Sequence, residues 1–331
     1  MSLKASGGGF KGHDLNFEEI ISLPNLFRAW VDFKKDKLKK QDVIDFSIEI
    51  ESNLFNLHAN LSDNQYRHGL YHPFYICDPK KRHIHKPTVK DRIVHQAVFR
   101  ILESIYEKVF IFDSYSSRKG KGIHKAHRRL RYFAWKLSRN NTRPVFFLKC
   151  DIKKFFDSVD HDILLSILEK KIKDQQTISL LRVIINSFCT KENKGIPLGN
   201  LTSQLFSNIY LDLLDQYVKR VLRVKYYLRY ADDFILIDAD REKLENFLVL
   251  IKLFLDEKLK LVLHKDKIMI SKFSDGVDFL GYVIFPYHQV LRTKTKRRAF
   301  KNVNKVNLPS YLGLLKHCRG RAIEKKLREL F

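Results

Sequence analysis

The stretch "YYLRYADDFILIDAD", residues 226–240, sets two adjacent carboxylates, Asp232 and Asp233, between two runs rich in Tyr, Leu, Phe and Ile. Adjacent anions repel, and apolar runs of this length bury themselves. Both demands are met if the runs are strands, 225–230 and 233–238, joined by a tight turn. The hairpin then buries its apolar residues and leaves Asp232 at the rim of a sheet. A third strand is readable upstream: "PVFFLKCD", residues 144–151, is short, rich in Val and Phe, and ends on Asp151. If these strands are neighbours, Asp151 and Asp232 converge on one edge.

The segments between fill in the architecture. Asp160 precedes a run at helical spacing and reads as an N-cap. "ISLLRVIINSF" predicts a second helix. "LFSNIYLDLLDQYVKRVL" predicts a third, with Leu205, Ile209, Leu213, Tyr217 and Val221 on one stripe. "REKLENFLVLIKLFLDEKL" predicts another helix, and "KLVLHK" (260–265) a final strand. Strand, helices, two strands, helix, strand is close to the split β-α-β order of ferredoxin-like folds. The expected class is α+β, an antiparallel sheet backed by helices. Residues 15–70 read as helical.

Charge points to the partner. The 331 residues carry 62 Lys and Arg against 37 Asp and Glu, a formal +25. Residues 78–131 hold 15 Lys and Arg, and residues 285–331 hold 13 against 2 Glu. That excess predicts a polyanionic partner. No apolar run approaches the roughly 20 residues of a spanning helix, so no membrane role is expected. The cysteines, Cys77, Cys150, Cys189 and Cys318, form no C-x-x-C pair, which fits a reducing compartment. Cys77, His83 and His85 lack a second ligand pair at zinc spacing. Two rim carboxylates suit a hard divalent cation such as Mg²⁺, which takes one or two protein carboxylates and completes its shell from phosphates and water. A pair of such ions clamps both oxygens of a phosphoryl displacement.

Seven segments in order resemble the reverse transcriptase family. "YADD" between apolar strands is similar to its catalytic hairpin, and "FFLKCDIKKFFDSVDHDIL" to its first catalytic segment. "GIPLGNLTSQLFSNIYL" resembles the segment packing on the nascent base pair, and "FLGYVIF" the primer-contacting hairpin. "LHKDKIMI" resembles the segment bearing a proposed general acid, with Lys267 the best match. "DPKKRHIHKPTVKDRIVHQAVF" resembles the fingers segment that meets the triphosphate, and "SYSSRKGKGIHKAHRRL" the one after it.

The resemblance implies a right-hand polymerase with fingers, a ferredoxin-like palm and a short helical thumb. The divisions expected are a flexible leader over 1–15, N-terminal helices and fingers over 16–144, a palm over 145–284 with part of the fingers packing on it, and a basic thumb over 285–331. The implied catalytic residues are Asp151, Asp232, Asp233 and Lys267, with Asp233 in support. Asp151, Ile152 and Asp232 are the implied site for two Mg²⁺. Lys81, Arg82, Arg92, Phe155, Phe156, Leu198, Gly199 and Gln204 are implied nucleotide contacts, Phe156 lying against the incoming sugar and excluding a 2′-hydroxyl. Tyr230, Phe279, Leu280, Gly281, Arg297 and Arg298 are implied primer and template contacts. The partners implied are template RNA, an RNA–DNA hybrid and dNTPs, in the cytoplasm.

One departure narrows the subgroup. Most of the family carries Pro-Gln-Gly followed by Ser-Pro, whereas this chain has Pro197-Leu198-Gly199 and then Ser203-Gln204. That form resembles the reverse transcriptases of diversity-generating retroelements, which copy a template RNA with errors at adenines and work with a small, basic, oligomeric accessory protein. "HGLYHPFYICDPKKRHIH", "DRIVHQAV" and "PSYLGLLKH" resemble the same subgroup. Leu198 removes one possible hydrogen bond near the nucleotide, worth about 0.5–1.5 kcal/mol, or roughly 2- to 13-fold in selectivity. A group II intron protein would be expected to continue into a maturase domain, and retron signatures are not found.

Overall fold

The computed structural model describes residues 16–77 and 80–331. The expected leader, 1–15, lies outside the described residues. Chain order begins with helices α1 (Phe17–Ile21), α2 (Leu23–Lys34), α3 (Gln41–Ile48) and α4 (Ile50–Ser62). A hairpin of β1 (His72–Ile76) and β2 (Arg82–Lys86) leads into α5 (Val89–Tyr106) and α6 (Ile123–Leu137). Then come β3 (Phe146–Asp151), α7 (Phe155–Ser158), α8 (His161–Lys171), α9 (Gln175–Asn186) and α10 (Leu201–Gln216). The catalytic-type hairpin is β4 (Tyr226–Tyr230) and β5 (Asp233–Asp238), followed by α11 (Arg241–Leu259) and β6 (Met269–Lys272). A small sheet of β7 (Val277–Phe279), β8 (Tyr282–Ile284) and β9 (Gln289–Leu291) precedes α12 (Thr293–Asn302), α13 (Leu308–Leu315) and α14 (Arg321–Arg328).

The chain divides into two compact units. One comprises the residues up to Val109 with Phe156–Tyr210, the other Phe110–Phe155 with Leu211–Phe331. The first is mainly helical. Side-chain caps start its helices: the Thr88 hydroxyl accepts from Asp91 N–H, Asp160 from Ile163 N–H, and Asp174 from Gln176 and Thr177 N–H. Its interior holds a buried polar relay. Asp91 accepts from the Tyr66 hydroxyl at 2.8 Å and the Thr88 hydroxyl at 2.6 Å. The His68 and His95 rings meet at 3.2 Å, and His95 Nδ1 lies 3.2 Å from the Thr202 hydroxyl. Burial holds His95 neutral, pushing it down to about 3.

The second unit is built on a four-stranded antiparallel sheet in the order β4-β5-β3-β6. Alternation sends Phe147, Leu228, Ile235 and Ile237 to one face, where they join Leu130, Phe133 and Ala134 of α6 in a core cluster. Leu148, Cys150, Tyr227, Phe234 and Leu236 alternate with them and are also buried, and α11 packs on β3 and β5. With both faces covered, the strands read as continuous apolar runs. The last three helices share a small core with β8 and β9 through Tyr282, Leu291, Ala299, Tyr311 and Leu327.

Two sequence expectations are corrected. Residues 260–265 form no strand; Leu263 makes a single bridge to Ile152, and the fourth strand is β6. The expected stripe turns outward past α10, which gives way to a π-helical turn at Tyr217–Val221: Leu214 and Val218 are buried, whereas Val221 is 65% exposed. Steps of four residues overshoot a 3.6-residue turn by about 40° each, so a strict i+4 row cannot stay on one face. The division into two compact units is a different partition of the chain from the expected boundaries at 144/145 and 284/285.

Candidate active site

The β4–β5 register makes Tyr230 the partner of Asp233 and leaves only Ala231 and Asp232 in the turn. Ala231 takes φ 53°, the left-handed conformation a two-residue hairpin turn needs. The β3–β5 register places Asp151 directly opposite Asp233. The cross-strand partner of Asp151 is therefore Asp233. Asp232 is joined to the same rim through its carbonyl, which accepts from Ile152 N–H at 3.3 Å. The segment after β3 is held by Lys153 N–H on the Val262 carbonyl and His264 N–H on the Asp151 carbonyl, both 2.8 Å, so these ties do not use the carbonyl of Ile152.

Asp151 is 8% exposed and accepts from Lys267 Nζ at 2.5 Å. The turn Lys265–Lys267 thus delivers its ammonium to the rim. Burial holds the Asp233 carboxyl well above the usual carboxylate range; Lys149 opposes this, while Asp151 and Asp232 add to it, and Asp151 hydrogen-bonds to it. Three carboxylates so close favour retention of a proton or the arrival of a cation. Among the described residues no three His, Cys, Asp or Glu side chains form a ready-made metal cluster.

Behind the turn lies a feature that motif reading missed. Arg229 is fully buried and donates to both oxygens of Asp215 through Nε at 2.8 and 3.0 Å and through Nη2 at 2.7 Å. Its Nη1 donates to the Ala231 carbonyl at 3.0 Å, and the Tyr227 hydroxyl donates to Asp215 at 2.7 Å. A buried fork of this kind fixes the turn that carries Asp232. The signal was a lone Arg inside an apolar strand, which is tolerable only with a buried partner.

The expected nucleotide contacts divide. Arg92, Gly199 and Gln204 line one cleft of about 360 Å³ in the first unit, with Phe33, Ile84 and His95. Arg92 pairs there with Asp42 and stacks over the Phe33 ring at 4.8 Å. Gly199 has φ 105°, and a Cβ there would stand 3.0 Å from Ile84 Cγ2. Lys81 and Arg82 do not line this cleft; both are exposed, and Lys81 lies over the Tyr75 ring at 4.4 Å. Leu198 is half-buried beside the cleft glycine, and Phe156 is half-buried with its carbonyl accepting from Ile196 N–H at 2.8 Å.

Two aromatic residues are corrected. Phe155 at 2% exposure and Phe279 at 0% are core side chains and offer no ring to a ligand. Tyr230 and Leu280 pack against the same core cluster as Phe279, and the half-buried Leu280–Gly281 turn, with φ 49° and 91°, is what that hairpin presents at its tip. Arg297 is exposed and Arg298 half-buried on α12.

Comparison with known proteins agrees with this arrangement. The sequence profile of the family described as reverse transcriptase (RNA-dependent DNA polymerase) matches residues 78–284. The group II intron-encoded protein LtrA of Lactococcus lactis subsp. cremoris is 28% identical, over 70% of this chain and 50% of its own length. Protein YkfC of Escherichia coli K12 is 28% identical over 66% of this chain and 65% of its own. The chain spans about half the length of the first curated relatives it matches. Among solved structures, telomerase from Candida albicans in complex with a telomeric RNA fragment superposes with a TM-score of 0.54 at 13% identity, covering 76% of this chain and 51% of that one. Apo telomerase from Candida tropicalis gives 0.53 at 14% identity, covering 72% and 59%. These likenesses show the fold, an α+β right-hand polymerase with fingers, palm and thumb. With the matched span running from the fingers segment through Asp151, the Ala231–Asp232 turn and Lys267, the chain belongs to the reverse transcriptase (RNA-dependent DNA polymerase) family.

Proposed function

We propose that the chain is an RNA-directed DNA polymerase that copies a template RNA into cDNA by nucleotidyl transfer. The observation that carries this reading is the shared rim: Asp151 opposite Asp233, the Asp232 turn beside them, and Lys267 on Asp151. The donor set suits a hard dication, since every candidate ligand is an oxygen and negative charge accumulates there. Asp151 and Asp232, with the Ile152 carbonyl, would hold two Mg²⁺. When bound, these ions supply positive charge against the phosphate oxygens of the dNTP. The chain's own groups do the rest. Lys267 is poised to give a proton to the leaving pyrophosphate. Asp233 holds Asp151 in place by a hydrogen bond across the two strands. The cleft lined by Arg92, Gly199 and Gln204 offers charge and a donor amide to a nucleotide.

The finer reading is an error-prone enzyme of the diversity-generating retroelement type, working with a small basic oligomeric accessory protein in the cytoplasm. Its support is Pro197-Leu198-Gly199 with Ser203-Gln204. A group II intron-type enzyme is the second reading, favoured by the similarity to an intron-encoded protein. Primer extension on an RNA template tests the activity: wild type extends and Asp232→Asn does not, and equal extension by both defeats the assignment. Sequencing the cDNA from an adenine-rich template separates the subtypes, because uniformly low error removes the retroelement reading.

A further inference from the structure

The second unit has another cleft, of about 480 Å³, at the start of α6 and lined also by Gln289 and His317. Three features meet there. The first is an open helix N-terminus. Gly122 caps α6 with φ 114°, no side chain caps the helix, and no acidic residue stands in its first turn. A Cβ on Gly122 would meet nothing within 4 Å. A helix start of this kind presents unpaired N–H groups and roughly half a positive charge.

The second feature is uncompensated charge. Lys125, Arg128 and Arg131 line the cleft, and among the described residues no carboxylate pairs with any of them. Arg129, also on α6, is paired with Asp113 at 2.8 Å. The helix thus neutralises Arg129 and leaves three of the four cleft cations without a carboxylate among the described residues; the fourth, Lys121, donates to the Phe112 carbonyl at 2.7 Å. The third feature is a set of buried polar atoms without protein partners. His127 is 1% exposed; its Nε2 lies 3.2 Å from the Phe279 carbonyl, and its Nδ1 has no partner. His124 Nδ1 is likewise unpartnered. His124 stacks on His317 with ring centroids 3.5 Å apart. Such atoms are costly unless something meets them.

We infer that this cleft is a phosphate-binding site, which seats a backbone phosphate of a bound nucleic-acid strand on the α6 N-terminus, Lys125, Arg128, Arg131 and His127. The chemistry is complementary. The Phe279 carbonyl takes the Nε2 proton of His127, so Nδ1 donates only when the ring is an imidazolium. Burial, with the nearby His124, Arg131 and His317, pushes the ring down to about 4 against the pull of the Phe279 carbonyl, so the protein's own groups hold it neutral. A phosphate supplies both the negative charge that the imidazolium requires and the acceptor for its Nδ1–H. The same anion relieves the mutual repulsion of the cleft cations. This site shares no residue with the Asp151–Asp232 rim, and its test reads binding, so its failure would leave the polymerase reading standing.

The test uses the full chain with isotope-labelled histidine. On titration with inorganic phosphate, the His127 imidazole resonances should move saturably toward the imidazolium form, and single-stranded RNA should produce the same movement and compete with phosphate. Movement by phosphate that RNA does not compete away assigns the site to a free phosphate ligand and overturns the strand assignment. No movement with either overturns the site. In parallel, a variant carrying Lys125→Gln, Arg128→Gln and Arg131→Gln is compared with one carrying Lys170→Gln, Lys171→Gln and Lys173→Gln. The first should flatten the salt dependence of RNA affinity by ~0.7 in log–log slope, the value for one lost phosphate contact on a single strand. The second should change it by less; equal flattening would show a diffuse field and no site.

Discussion

Arg229 carries a charge to a position with no solvent exposure, one strand residue before Tyr230 and two before the turn. A lone buried guanidinium is unaffordable in free energy, and Asp215 is its ion-pair partner, with all three nitrogens engaged between Asp215 and Ala231. Replacing a buried pair by apolar groups is often harmless, but removing one partner strands the other charge. Asp215→Asn keeps the shape and removes only the charge. It should cost about 3–5 kcal/mol, read as a lowered urea midpoint with unchanged m-value. Glu245→Gln breaks the exposed Arg241–Glu245 pair and should cost less than about 0.5 kcal/mol. Similar losses for the two variants would show that the buried fork does not hold the hairpin. Residues such as Arg229 are where the sequence was least legible. Asp151 and Asp232 could be picked out because each ends or follows a readable apolar run, whereas Lys267 was reached only through the resemblance of its segment to the family's. The partner of Arg229 lies on a helix 14 residues upstream, and no local pattern names it.

At the level of elements, the hairpin was legible because its two apolar runs leave room for only two turn residues. The strand at 146–151 was legible as a short run rich in Val and Phe that ends on Asp151. The fourth strand was misplaced because "KLVLHK" has strand-like composition but serves as the connection that clamps Ile152, while the true strand, Met269–Lys272, is half-exposed and polar at its end. The turn itself carries a cost that composition does not show. Ala231 sits at φ 53°, which for a residue with a Cβ costs roughly 1–2 kcal/mol. Ala231→Gly removes that strain and gives back about 0.4–1 kcal/mol through the greater freedom of the unfolded chain. Stability should therefore stay level or rise slightly. Ala231→Val puts a β-branched side chain where such residues are genuine outliers, and should lose at least about 1 kcal/mol relative to Ala231. Thermal and urea unfolding of the three proteins should rank glycine at or above alanine, and alanine above valine. A valine variant as stable as the parent would mean the turn relaxes to another conformation, and the rim geometry would not be enforced by the backbone.

On the scale of the whole molecule, the formal +25 sets the sign of the response to salt. Two effects compete. Without a polyanion, like charges repel across the surface, and added salt screens them over a Debye length of about 8–10 Å. Stability should then rise as NaCl increases through the range where screening acts. With saturating single-stranded RNA, the bound strand stabilises the native chain by mass action, and the gain grows with the logarithm of ligand excess over Kd. Salt weakens that binding steeply, since each phosphate contact contributes ~0.7 to the log–log slope for single strands. Stability in the RNA-bound protein should therefore fall over the same NaCl range. The measurement is a pair of thermal unfolding series, one with and one without RNA, in matched buffers. Midpoints moving in opposite directions match a surface built to hold a polyanion. A rise with salt in both series would mean that RNA binds too weakly for its charge to matter, and a fall in both would mean that self-repulsion is already offset by ion pairs within the fold. The exposed pairs argue against the second outcome: Arg182–Glu169, Arg241–Glu245 and Arg328–Glu324 use single carboxylates at the surface, and 37 acidic residues cannot offset 62 basic ones.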